Sequence, residues 1–348
     1  MRTIGRTAAS QMKPPDGGES GGLSDEKHCL SGSALPSAPV AAGAGPAAGN
    51  RAAGMGTAAT LRLSRNQLNR INLALTERHR DVLRLLAVFQ TATTAQLQRV
   101  VFADRASVIG QAQAAKKVLR RLRETGLIDH LPRRVGGITG GSTPGVWFLT
   151  PGGWRLSAVP SPGSGWFGLQ LSTPLPTRPH VRPGQPPALF TLNHRLAVVE
   201  TFVQLHESWQ AGRLDLLSFT PEPGCWRSFL GRYGAAETLK PDGFARTAAT
   251  GSQFERLWFV EIDMGSESLS AVSRKTAVYE AYRRTGIEQA SQRTFPRVAW
   301  IAPDQTRADR LNQLFTHDSS LDADSHAALT LERFITGNRT PVTPSNTS

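Results

Sequence analysis

Eight prolines fall between Ser157 and Pro187: Pro160, Pro162, Pro174, Pro176, Pro179, Pro183, Pro186 and Pro187. Proline lacks a backbone donor and fixes φ, so a stretch this punctuated suits neither a helix interior nor a central strand. Residues 157–188 read as a stiff, partly extended linker. The chain of 348 residues is therefore expected to carry one folded domain on each side, at 61–156 and 189–335. Residues 1–60 are rich in Ala, Gly, Ser and Pro and have too little to bury, so they are expected to be a disordered tail. A polar tail is expected at 336–348.

Charge is distributed unevenly over these parts. The chain is +13 overall, and residues 61–160 hold sixteen Lys and Arg against five Asp and Glu, a net of +11. The remainder is close to neutral. A cationic block of this kind calls for a polyanion, since neutralising phosphates releases counterions. A solvated basic surface is the plainer reading.

The same block has the pattern of three short helices and a hairpin. Thr76 can cap a helix through Val82, Leu83, Leu85, Leu86 and Phe89. Thr93 caps a second, with Gln96 in the capping-box position and Leu97 and Val100 facing inward. A third begins near Ser107, buries Val118, Leu119 and Leu122, and carries Lys116, Lys117, Arg120, Arg121 and Arg123 around its remaining surface. Gly126 ends it. Strand-like Leu127-Ile128 and Val146 to Leu149 then flank Arg133-Arg134 and a glycine-rich loop. This is the order of a winged helix-turn-helix, whose third helix enters the major groove of double-stranded DNA. Gln111, Gln113, Lys116, Lys117, Arg120 and Arg121 are the expected contacts from that helix, with Arg133 and Arg134 on the wing.

Beyond the linker the pattern becomes helix, three strands, helix, strand, helix, an α/β layer fold. The helix runs from Leu192 to Trp209 and the strands lie at Leu214 to Phe219, Leu239 to Ala245 and Leu257 to Asp263. The last of these is apolar almost throughout, as a central strand must be. Ser266 or Ser268 caps the next helix, and Arg297 to Ala302 is the fourth strand, before a helix with Leu311 and Leu314. Glu261 and Asp263 interrupt the apolar strand and share a face. Asp242 opens a neighbouring strand, and Lys275 lies on the following helix. Three carboxylates and a lysine are what a magnesium site needs, with the ion polarising a phosphate and generating hydroxide. The competing reading pairs Glu261 and Asp263 with Arg274, Lys275 or Arg256 as a salt-bridged sheet rim. His194 and Glu200 on the first helix are either site residues or ordinary packed and solvated side chains.

The run Pro241-Asp242, Glu261-Ile262-Asp263 and a displaced Lys275 resembles the restriction-endonuclease-like PD-(D/E)xK fold. In that fold the lysine usually stands two residues after the second acid, where Asp263 stands here. The whole pattern is similar to the replication-relaxation family, in which a winged helix precedes a domain with His-Arg-Leu, Pro-Asp and Glu-Ile-Asp motifs and a lysine-bearing helix ending in tyrosine. The matching segments are His194-Arg195-Leu196, Pro241-Asp242, Glu261-Ile262-Asp263 and Lys275 to Tyr282, within residues 75–315. The resemblance implies a mobile-element protein acting in plasmid replication, DNA relaxation or transfer. It implies catalytic candidates Asp242, Glu261, Asp263, Lys275 and His194, with Asp242, Glu261 and Asp263 as magnesium ligands. Replication or transfer proteins and a second copy of the chain are the expected protein partners. The alternative is a non-enzymatic regulator whose α/β domain dimerises or recruits a partner.

Cys29 and Cys225 are the chain's two cysteines, which supports neither a disulfide framework nor a zinc site. No apolar run is long enough to span a membrane, and no apolar h-region follows Met1. A reducing cytoplasm is the expected location.

Overall fold

The computed structural model describes residues 62–131, 145–157, 185–322 and 324–339. Arg133 and Arg134, most of the proline-rich stretch and the expected N-terminal tail lie outside the described residues. The first part opens with α1 (Arg65–Ala74), which Ser64 caps by accepting the Gln67 N–H. Next come α2 (Glu77–Phe89), β1 (Thr91–Thr93), α3 (Thr94–Val101) and α4 (Val108–Glu124). The Thr93–Gln96 capping box at α3 is formed in both directions, and Ser107 accepts the Gly110 N–H at the start of α4. Gly126, at φ +72°, turns the chain out of α4 into β2 (Ile128–His130). β3 (Val146–Leu149) and α5 (Pro151–Ser157) complete this part. β3 pairs antiparallel with both β1 and β2. The expected helices and hairpin strands are all present, and Leu83, Leu97, Leu119 and Leu122 form their core. α1, β1 and α5 lie outside that expectation; β1 is three residues long, too short to show a period.

The second part is a mixed α/β layer structure. It comprises α6 (Leu189–Gln210), β4 (Asp215–Pro221), β5 (Arg227–Leu230), β6 (Ala236–Leu239), β7 (Gly243–Ala248) and β8 (Glu255–Ile262). Then follow α7 (Leu269–Arg284), α8 (Ile287–Gln292), β9 (Arg297–Ala302), α9 (Gln305–His317), β10 (His326–Thr330) and α10 (Leu331–Gly337). Its main sheet has the order β10-β9-β8-β7-β4. β8 is central, antiparallel to β7 and parallel to β9. Alternation along β8 builds two cores. Trp258, Val260 and Ile262 join the cluster that includes α6 and α10, while Phe259 joins the one that includes α7 and α9.

Two expectations change here. The strand expected over Leu239 to Ala245 is two strands. β6 ends at Leu239 in a separate hairpin with β5, and β7 starts at Gly243. Pro241 between them cannot donate to a ladder, so the chain leaves one sheet and enters the next. The ordered chain also runs past residue 336, because Asn338 is buried and its Oδ1 accepts from Thr247 Oγ1 at 2.6 Å and Trp258 Nε1 at 3.0 Å.

The two parts share a core. Phe89 of α2 packs on Phe202 of α6 and Phe219 of β4, with ring centroids 4.9 and 6.0 Å away. Arg99 of α3 forks between Glu200 and Glu207 of α6, at 2.7 and 2.6 Å. Gln96 donates to the Leu196 carbonyl, and Arg195 donates to Gln90 Oε1. Among the described residues no helix is long and apolar enough to cross a membrane.

Candidate functional site

The break at Pro241 sets Asp242 at the mouth of β7, against the end of β8. The Asp242 N–H donates to the Val260 carbonyl, and Asp242 Oδ2 accepts the Ile262 N–H at 2.7 Å. His194 Nε2, from the start of α6, lies 3.1 Å from the same oxygen. Glu261, on the next strand, is only 1% exposed. Its Oε2 accepts from Lys275 Nζ at 2.8 Å and its Oε1 from the Tyr279 hydroxyl at 2.6 Å. Lys275 and Tyr279 are one helical turn apart on α7, so both reach the same carboxylate. Asp242, Glu261, Lys275 and His194 are thus brought together.

Asp263 is not joined to them by a hydrogen bond. Its Oδ2 accepts from Arg307 Nε of α9 at 2.6 Å, and its Oδ1 accepts the Gly265 N–H at 2.7 Å. Gly265 has φ +76°, a conformation that suits glycine and lets the chain fold back on the aspartate. Glu200 is committed elsewhere, to Arg99. Among the described residues, no group of three or more His, Cys, Asp or Glu side chains is arranged to hold a metal ion.

Electrostatics follow from burial. Burial first, and then the charge of Asp242, push the Glu261 carboxyl up to about 8, against the pull of Lys275 and Tyr279. The hydrogen bond to Asp242 raises His194 above its usual value, although burial opposes it. Glu222, just past β4, is raised by burial and by Asp242. Its N–H donates to the Asp242 carbonyl, which fixes it beside the cluster.

The other candidate surface is α4. Gln113, Lys116, Lys117, Arg120 and Arg121 are exposed on it. Arg120 pairs loosely with Glu124 at 3.8 Å, while among the described residues Lys116, Lys117 and Arg121 have no acidic partner. Arg121 lies near His79, whose pKa is lowered by burial first and by this arginine second. Gln111 is half-buried and folds back, with Nε2 donating to the Arg105 carbonyl at 3.2 Å.

A family model described as replication-relaxation matches residues 83–298, more than half of the chain. The chain belongs to the replication-relaxation family. No curated protein and no solved structure matches it. Membership ties this replication-relaxation protein to the replication or relaxation of plasmids and other mobile elements. The match begins in α2 and ends in β9, so it takes in α3, α4 and the Asp242–Glu261–Lys275 cluster. Three residues that hold or adjoin these acids were not found by sequence reasoning. Tyr279 was legible, four residues after Lys275 on one helix face. Glu222, between two prolines, and Arg307, 44 residues from Asp263, carry no local signal.

Proposed function

We propose that this replication-relaxation protein binds duplex DNA of a mobile element through α4 and carries a nuclease-like centre at Asp242, Glu261, Lys275 and His194. The observation that carries the proposal is the set of exposed cations on α4. They stand on a helix reached by the order helix, strand, helix, helix, hairpin, which is the order of a winged helix-turn-helix. For the second part, support comes from one helix, three antiparallel main-sheet strands, a helix and a parallel strand, with Asp242 immediately before β7 and Glu261 on the adjacent β8. That layout is consistent with a PD-(D/E)xK-like fold whose lysine has moved to α7.

The expected magnesium set of Asp242, Glu261 and Asp263 is not assembled around one point among the described residues. Magnesium keeps several waters and is usually held by one or two carboxylates, for which a cation already paired with them competes. Among the described residues, Glu261 is held by Lys275 and Tyr279 and Asp263 by Arg307 and Gly265, which leaves Asp242 Oδ1 and the neighbouring Glu222 as the carboxylate oxygens at the cluster not already held by a side chain or backbone donor. This internal saturation favours a second reading, a non-enzymatic DNA-binding regulator whose α/β part supports or recruits. Purified full-length protein on supercoiled plasmid, with and without magnesium, separates the two. Magnesium-dependent nicking that Glu261→Gln abolishes supports the nuclease-like reading. Plasmid binding that weakens steeply with salt, without nicking, supports the regulator. Absence of salt-dependent binding refutes both.

A further inference from the structure

The start of α4 holds two apolar side chains with no role in the core. Val108 is 72% exposed and Ile109 71%, whereas Ala115, Leu119 and Leu122 of the same helix are buried. The Ser107 cap fixes the turn that presents them. Ile109, Gln113, Lys116 and Arg120 follow each other at steps of four, three and four, so they form one line down the outer face. Along that line the chemistry changes from apolar to amide to cation.

We propose that the first turn of α4 reads thymine methyl groups in the DNA major groove, through Ile109 flanked by Val108, with Gln113 on an adjacent adenine. The inference rests on the DNA-binding reading above and adds what on the duplex is recognised. Cations at the far end of the line suit phosphates, which position a protein but carry no sequence information. Base edges are read by amides and apolar groups. Thymine presents a methyl group in the major groove, and Gln can bond the N6 and N7 of adenine together. The N-terminal residues of a recognition helix are the ones that reach base edges. Gln111 takes no part, since its amide is spent on Arg105. Gln113 is exposed and has no side-chain partner among the described residues. The neighbouring cations select a polyanion as occupant over a second copy of this basic face, which would be repelled.

The test uses full-length protein and a pool of duplexes with a randomised core. Bound duplexes are enriched at physiological salt, then resynthesised with deoxyuridine in place of thymidine, which deletes only the methyl group. A·T pairs should be enriched, and uracil should weaken wild-type binding about fourfold for each contacted thymine, as expected for one buried methyl-sized group. Ile109→Ala, an exposed position, should bind the thymine and uracil duplexes equally and keep the wild-type salt dependence. Equal wild-type affinity for the two duplexes, or discrimination that survives in Ile109→Ala, overturns the inference while DNA binding itself stands. A change in dimerisation with Ile109→Ala, without loss of thymine preference, assigns the patch to a second copy and also overturns it. If no duplex in the pool is bound, the DNA-binding reading falls, and this inference with it.

Discussion

Asp263 is held by a cation that sequence reasoning did not nominate. The Asp263 and Arg307 side chains are 1% and 13% exposed, so their ion pair is largely shielded from water. Removing one partner of such a pair leaves the other charge buried without compensation, which typically costs about 3–5 kcal/mol. Asp263→Asn should therefore lower the melting temperature clearly, with or without magnesium. An unmoved melting curve would refute the structural role assigned to the pair. His326 makes a different residue-scale prediction. Its Nδ1 accepts from Trp300 Nε1 at 3.1 Å, and burial lowers its pKa from 6.5 to about 4. In the unfolded chain the ring takes a proton near pH 6.5, but in the fold it stays neutral down to about 4. Between those values the unfolded state binds more protons, so stability falls as pH falls; above 6.5 there is no difference. The loss amounts to about 3 kcal/mol at the acid end. Chemical denaturation from pH 7 to 4 should show a shallower decline in His326→Asn. Parallel curves for the two proteins would refute the assignment.

At the scale of the element, α4 has two faces with separable roles. Replacing Lys116, Lys117, Arg120 and Arg121 together by alanine should spare the fold, since all four are exposed, and should flatten the salt dependence of DNA binding by roughly 3–4 in log–log slope. Leu119→Ala, at a position 2% exposed, should do the opposite. It should destabilise by about 2–5 kcal/mol and leave the salt slope of the surviving folded protein unchanged. An unchanged slope in the quadruple variant would remove α4 as the DNA-contacting helix. The helix was legible because its own residues state both faces: buried Leu119 and Leu122 recur at helical spacing, Ser107 caps it and Gly126 ends it. β8 was legible for a similar reason, being apolar on both faces. The hairpin of β5 and β6, and β10 with α10, were not. Their strands are short, and what fixes them comes from afar, as when Asn312 bonds both the N–H and the carbonyl of Ala328 on the edge strand β10. The carboxylate centre was legible in its members and not in its pairings. Spacing identified Asp242, Glu261 and Lys275, but it could not say that Asp263 turns to α9.

At the scale of the whole molecule, the issue is whether the two parts unfold independently. A proline-rich stretch between two patterns suggests two domains on a stiff tether. The shared core argues for coupling: Phe89, Phe202 and Phe219 form one aromatic cluster across the junction, and Arg99 is clamped by two glutamates of α6. Because α6 carries His194 at one end and the Arg99 contacts farther along, it links the helix preceding α4 directly to the Asp242 centre. Calorimetry of the full-length protein should then give one cooperative transition with matching calorimetric and van't Hoff enthalpies. Phe202→Ala, at a residue 1% exposed, removes the middle ring of the cluster. It should destabilise by about 3–5 kcal/mol. Both parts should feel it, so DNA binding by α4 and the far-ultraviolet signal of the α/β layers should be lost over the same temperature range. If the two signals separate in the wild type, with DNA binding lost while the α/β layers persist, the junction is a weak contact between independent domains. If they separate only in Phe202→Ala, the joint loss expected of the variant fails, and the remaining contacts of α6, Arg99 with Glu200 and Glu207 among them, do not by themselves couple the two parts.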